Sequence, residues 1–117
     1  AAEYDELFAA AGLDGKVSLP KKAAYPVRHI YNQYCIEVSG GRRDALVAHL
    51  REIGIGCAIY YPLSLHLQKC FADLGGKPGD CPVSEAASGR IMALPIYPES
   101  TAEQRRSVVD AIAAFLK

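Results

Sequence analysis

The run CAIYYPLSLHLQKCF, Cys57 to Phe71, concentrates residue types suited to holding a polar ligand. Tyr60 and Tyr61 precede Pro62, and His66 and Gln68 follow two residues apart. Phenol, imidazole and carboxamide groups both donate and accept hydrogen bonds, so together they can read a ligand rich in polar atoms. The same residues also describe a packed turn. In that reading Tyr60 anchors a strand end, Pro62 fixes the turn and His66 caps the helix that follows.

A second polar cluster, His29, Asn32 and Gln33, lies in HIYNQYCIEVSG. Ile30, Asn32, Tyr34, Ile36 and Val38 share one side of a period-two pattern, with Tyr31, Gln33, Cys35 and Glu37 on the other. Asn32 is therefore expected on the core side, where a buried amide needs a structural partner. His49 falls at the edge of a helical stripe and reads as structural. Asp80 and Glu85 could be taken for an acid–base pair, but acidic groups suit the positive end of a helix, and helix-start capping accounts for them.

The elements that must carry these residues can be read from spacing. Tyr4, Leu7, Phe8 and Ala11 recur at helical intervals up to Gly12. No capping residue precedes them and no methionine opens the chain, which reads as a longer helix cut short in a fragment of a larger protein. Residues 13–28, with Gly15, Pro20 and Pro26, read as a connector. After the strand in 29–38, Leu46, Val47, Leu50 and Ile53 predict a helix stopped by Gly54. Ile55 to Tyr60 reads as a second strand ended by Pro62. LHLQKCFADLGG predicts a short helix closed at Gly75, and Asp80 is expected to cap another with Pro82 in its first turn. RIMALPIYP is a third strand. Thr101 and Gln104 form a T-x-x-Q capping box ahead of a buried stripe of Val108, Ile112 and Phe115, with Leu116 at its edge. The pattern predicts an α+β fold, a small open sheet of about three strands backed by helices, with strand directions left open.

Composition sets further bounds. The 117 residues carry 13 basic and 13 acidic side chains, so charge offers no case for nucleic acid or an anionic membrane. Arg42, Arg43, Arg105 and Arg106 read as solvated helix-face residues. No apolar run approaches the roughly 20 residues that span a bilayer, and no basic start leads into a long apolar stretch. Cys35, Cys57, Cys70 and Cys81 form no C-x-x-C pair. They read as small, buried, reduced thiols of a cytoplasmic chain, with disulfides as the weaker alternative, and no metal site is predicted.

Three ordered segments, YYPLSLHLQ, GDCPVSE and ALPIYPESTAEQ, together with HIYNQYCIEV and RRDALVAHLREIGIG, closely resemble the C-terminal part of the DegT/StrS family. The similarity runs from about His29 to the end. These are pyridoxal-phosphate-dependent nucleotide-sugar aminotransferases of the type I fold. The resemblance implies that residues 29–117 are the small C-terminal domain and that 1–28 are a truncated linking helix and connector from a missing large domain. It places Tyr60, Tyr61, His66 and Gln68 on a loop that approaches the substrate cleft, where they would bind a nucleotide sugar. ALPIYPES reads as structural. Two departures stand out: Tyr60 replaces a histidine usual before Tyr-Pro, and Ser64 replaces a second proline.

The family's cofactor is held as a Schiff base on a lysine of the large domain. Lys16, Lys21, Lys22, Lys69, Lys77 and Lys117 lie in no such context and read as surface residues. The expectation is a parent enzyme that moves an amino group, from glutamate, to a nucleotide-linked keto sugar. It would use pyridoxal phosphate and partner the large domain, in a homodimer. This chain would wall the cleft without holding the cofactor and carry no catalytic residue. The alternative is a stand-alone α+β module that binds a small molecule or regulates. A relative whose large domain has lost its lysine is a third possibility.

Overall fold

The structure is a computed structural model that describes residues 1–25 and 28–117. Pro26, read above as part of the connector, lies outside them. Helix α1 spans Ala2–Ala11 and strand β1 Val17–Ser18; β2 follows at Tyr34–Val38 and α2 at Arg43–Glu52. Two 3-10 segments, Leu65–Leu67 and Lys69–Leu74, lead to α3 (Pro82–Ser88), β3 (Ile91–Leu94) and α4 (Ala102–Leu116).

The strands form one sheet in the order β1-β2-β3, antiparallel throughout. Val17 pairs with Val38, and Tyr34 with Leu94. This is the expected α+β sheet of three strands, but its membership differs from the sequence reading. The stretch Ile55–Tyr60 contributes a single antiparallel bridge, Ala58 to Ala93. Gly54 and Gly56 before it and Pro62 after it leave too little regular backbone for a longer ladder. The third strand is instead β1, which pairs with the far edge of β2 and lies inside the segment read as a connector. Two residues are too few to show a period, so β1 left no signal.

Alternation holds where the ladder holds. Tyr34, Ile36 and Val38 are buried, while Cys35 and Glu37 on the other face are half-buried. Ile30 lies outside the strand and is 78% exposed, and Asn32 is exposed rather than core-facing. Leu46, Val47 and Leu50 of α2 cover the sheet, whereas Ile53 falls past the helix end and is exposed. Met92 and Leu94 of β3 and Val109, Ile112 and Leu116 of α4 complete the core.

α1 belongs to that same core. Tyr4 and Phe8 are buried against α4 and the sheet, and Leu7 is partly buried beside them. Glu3 accepts from the Arg105 Nε at 2.9 Å, tying α1 to α4. Arg105 is thus an interhelical tie rather than a solvated residue. Arg43 differs even more from expectation: it is buried, and its guanidinium donates to the Ile91 carbonyl at 2.7 Å and to Asp44 at 2.6 Å. Arg42 and Lys16 donate to the last carbonyls of α4, at Phe115 and Leu116, where positive charge complements the helix dipole. His49 stacks on Phe115 with ring centroids 5.1 Å apart, a structural contact.

The capping box of α4 is complete. Gln104 N–H donates to Thr101 Oγ1 at 3.2 Å, and Thr101 N–H donates to Gln104 Oε1 at 2.9 Å. Tyr97 also donates to Gln104 Oε1, at 3.2 Å. ALPIYPES therefore makes the strand end, turn and capped helix read from it. The four thiols are free, but Cys70 and Cys81 are exposed rather than buried.

Candidate functional site

Beyond the Ala58 bridge the chain leaves the sheet edge as an extended loop through Tyr60, Tyr61 and Pro62. The Tyr60–Tyr61 peptide is cis. The two rings meet edge to face at 6.1 Å, and Tyr61 is 67% exposed. Tyr60 stands between two hollows. One, of about 310 Å³, is lined by Tyr60 with Asn32, Gln33, Cys57 and Pro95. The other, of about 230 Å³, is lined by Tyr60, Tyr61, Leu65, Ser64 and residues of α3. Asn32, expected on the core side, thus joins Gln33 and Tyr60 around one hollow. The approach of Asn32 and Gln33 to Tyr60 was not legible, because it depends on β2 and the loop flanking β3 on its two edges.

The loop is then pinned to α3. Ser64 is buried, and its hydroxyl lies 3.0 Å from that of Ser84. The serine that replaces a family proline therefore gains a partner that proline could not have. His66 follows in the first 3-10 segment, half-buried, with Nε2 3.0 Å from Glu85 Oε1. It lines a third, largely apolar hollow of about 380 Å³ with Leu65, Phe71, Leu74 and Gly76. The structure thus brings Tyr60 and Tyr61 together and sets His66 on a neighbouring wall.

Gln68 lines none of these three hollows. Its backbone closes one 3-10 segment and opens the next: its N–H donates to Leu65 and its carbonyl accepts from Phe71. Its side-chain oxygen faces the Cys70 thiol at 3.8 Å.

Glu85 is the residue that the sequence undervalued. Its carboxylate accepts the N–H of Gly79, at 2.9 and 3.0 Å, and that of Cys81, at 3.1 Å, besides facing His66. It closes the start of α3, as read, while Asp80 instead accepts from Lys77 N–H at 3.0 Å. The N-cap position is Cys81, which makes no side-chain capping bond. The Gly79 N–H, followed by those of Cys81 and the His66 ring, holds the Glu85 carboxyl below its ordinary range.

All six lysines are exposed, and the Lys16 ammonium is engaged by the Leu116 carbonyl at 2.9 Å. Among the described residues no group of three or more metal-ligating side chains gathers, and no helix is long and apolar enough to cross a membrane.

A comparison with known families matches residues 1–113 to the DegT/DnrJ/EryC1/StrS aminotransferase family. The chain belongs to this family. A Geobacillus stearothermophilus relative called pleiotropic regulatory protein is 45% identical over 76% of this chain and 23% of its own length. UDP-N-acetyl-3-dehydro-alpha-D-glucosamine 3-aminotransferase of Acidithiobacillus ferrooxidans is 37% identical over 86% of this chain and 26% of its own. Among solved structures, an aminotransferase of the family from Brucella abortus superposes with a TM-score of 0.77 at 32% identity, over 98% of this chain and 31% of that one. DesV of S. venezuelae gives 0.82 at 27% identity, over 99% of this chain and 32% of that one. The DegT/DnrJ/EryC1/StrS chain described here spans about a quarter of the length of these curated relatives.

Proposed function

We propose that the chain is the small domain of a sugar aminotransferase and forms one wall of its substrate cleft. The parent enzyme moves an amino group from glutamate to the keto group of a nucleotide-linked sugar, and pyridoxal phosphate supplies the electron sink for that exchange. The lysine that holds the cofactor belongs to a large domain upstream, to which residues 1–28 are the link, and the domain proper begins at about residue 29. The parent works as a cytoplasmic homodimer.

One observation carries the reading: the loop from Tyr60 to His66 keeps both tyrosines at the surface while the Ser64 and His66 side chains fasten it to α3 through Ser84 and Glu85. A turn serving only the core would bury Tyr60 and Tyr61. Instead the two phenols edge a hollow beside Ser64 and Ser84, a group of hydroxyls suited to sugar hydroxyls and phosphate oxygens. Similarity to sugar aminotransferases supports the substrate class.

The test uses His66→Ala and Tyr61→Phe in the parent enzyme. Each lost neutral hydrogen bond costs about 0.5–1.5 kcal/mol. The keto-sugar efficiency is therefore expected to fall roughly 2- to 10-fold, with the amino-donor half-reaction nearly unchanged. Variants that unfold early yet keep normal sugar kinetics per folded molecule would make the loop purely structural. In a second reading, a stand-alone binding or regulatory module, only the regulatory part draws support from the name of the Geobacillus relative. The upstream reading frame decides between them: a lysine-bearing large domain in frame excludes the module.

A further inference from the structure

We propose that Glu85 is a positioning residue for His66: its carboxylate takes the Nε2–H of the imidazole and so leaves Nδ1 as the ring atom that meets a substrate hydroxyl. The proposal rests on the reading of His66 as a cleft residue. It adds a residue that the sequence assigned to helix capping alone, and it names the ring atom left for the ligand.

The inference follows from counting donors. The N–H groups of Gly79 and Cys81 can only donate, and both converge on the Glu85 carboxylate. A carboxyl receiving two such bonds is favoured as the ionised form, and an ionised carboxylate only accepts. The nitrogen 3.0 Å from Oε1, His66 Nε2, must then carry the proton. The ring nitrogen left for a ligand is Nδ1. A hydroxyl can bond to that atom whether or not it carries a proton, since it both donates and accepts.

The placement is more than a helix start requires. Ser, Thr, Asp or Asn at the N-cap would serve α3 locally. Cys81 at that position makes no such bond. The acceptor reaches back from Glu85, within α3, on the side where His66 lies. Oε1 thereby serves both the turn and the imidazole, while Oε2 takes only a second contact from Gly79. The other side of His66 is also clamped, because a Cβ on Gly76 would lie 2.7 Å from the His66 carbonyl oxygen. Backbone and ring are held independently, leaving the ring little freedom.

The test is a double-mutant cycle on the keto-sugar half-reaction of the parent enzyme, with Glu85→Gln and His66→Ala. Glutamine can keep an oxygen at the Oε1 site for Gly79, Cys81 and His66, so the turn survives. It removes the carboxylate charge that strengthens the bond to the imidazole, so the ring is held less firmly. The expected loss for Glu85→Gln is about 2- to 10-fold in kcat/KM for the sugar, shrinking to less than about 2-fold in the His66→Ala background. The amino-donor half-reaction stays unchanged in both. Unchanged sugar kinetics in Glu85→Gln, or equal losses in both backgrounds, would overturn the positioning role while leaving His66 in the cleft. Wild-type sugar kinetics in His66→Ala alone would overturn the cleft reading and the proposal together. Should Glu85→Gln fail to fold, ¹⁵N spectra of the histidine-labelled parent decide instead. A protonated Nε2 on His66 at neutral pH is expected, and a protonated Nδ1 with bare Nε2 would sink the assignment.

Discussion

Tyr4 donates its hydroxyl to the carbonyl of Pro95 at 2.8 Å, joining residues 91 positions apart. The bond fastens α1 to the turn that follows β3. Tyr34 lies beside it, with ring centroids 4.9 Å apart, and donates to Asp5 Oδ1 at 2.5 Å. Two phenols buried by their rings therefore find acceptors for their hydroxyls, as amphipathic aromatic groups require.

Tyr4→Phe keeps the ring and deletes the bond. A loss of about 0.5–1.5 kcal/mol in unfolding free energy is expected, with an orphaned carbonyl adding to it, and urea unfolding of the 117-residue chain measures it. The pair also sets an alkaline limit. Burial pushes the Tyr4 phenol up to about 12, and burial with the Asp5 bond pushes Tyr34 up as well. A folded pKa above the unfolded value near 10 means that the stabilisation is whole below pH 10 and is lost as pH rises toward the folded value. Unfolding curves at pH 9, 10.5 and 12 should show the decline, weaker in Tyr4→Phe. A flat profile over that range would contradict it.

Glu85 sets the opposite, acidic limit. Its folded pKa is depressed, so its contribution is present above the unfolded value of about 4.5 and disappears as pH falls through the folded one. The stability gap between the wild type and Glu85→Gln should be widest near neutrality and close in acid. A gap that is constant from pH 7 to pH 3 would mean that the carboxylate charge contributes nothing at this turn.

Gly76→Ala should disturb the His66 segment. The added carbon would meet the His66 carbonyl at 2.7 Å and His66 Cβ at 3.0 Å, and backbone cannot yield cheaply. A cost of about 1–3 kcal/mol is expected from such overpacking. Gly89→Ala is the control, since its nearest neighbour would be 3.6 Å away. Comparable thermal shifts in the two variants would refute the close approach.

Mixed with pyridoxal phosphate and reduced with borohydride, the isolated chain should show scattered partial labelling of its six exposed lysines. The adducts can be mapped by peptide mass spectrometry. One stoichiometric adduct on a single lysine, accompanied by transaminase turnover, would show that this domain carries the cofactor function after all.

Much of the fold was legible because local rules were strong. The T-x-x-Q box and the apolar stripe of α4 fixed its start and its buried face, since capping and 3.6-residue periodicity act within a few residues of sequence. Tyr34, Ile36 and Val38 revealed their face in the same way. Ordered segments were enough to identify the family, because their order and spacing carry that resemblance without any coordinates.

Tertiary structure alone decided where the polar groups went. Arg43, read as solvated, is buried because the Ile91 carbonyl lies within its reach, and that acceptor is 48 residues away. Asn32 moved from the expected core to a hollow beside Tyr60, since the strand begins only at Tyr34 and alternation has no force outside a ladder. His66 and Glu85, 19 residues apart, stood in two separately recognised motifs, and only folding made them one hydrogen-bonded unit. Periodicity records which side of an element avoids water. It holds no information about which distant donor meets which acceptor, and at this site those pairings determine what a ligand can be offered.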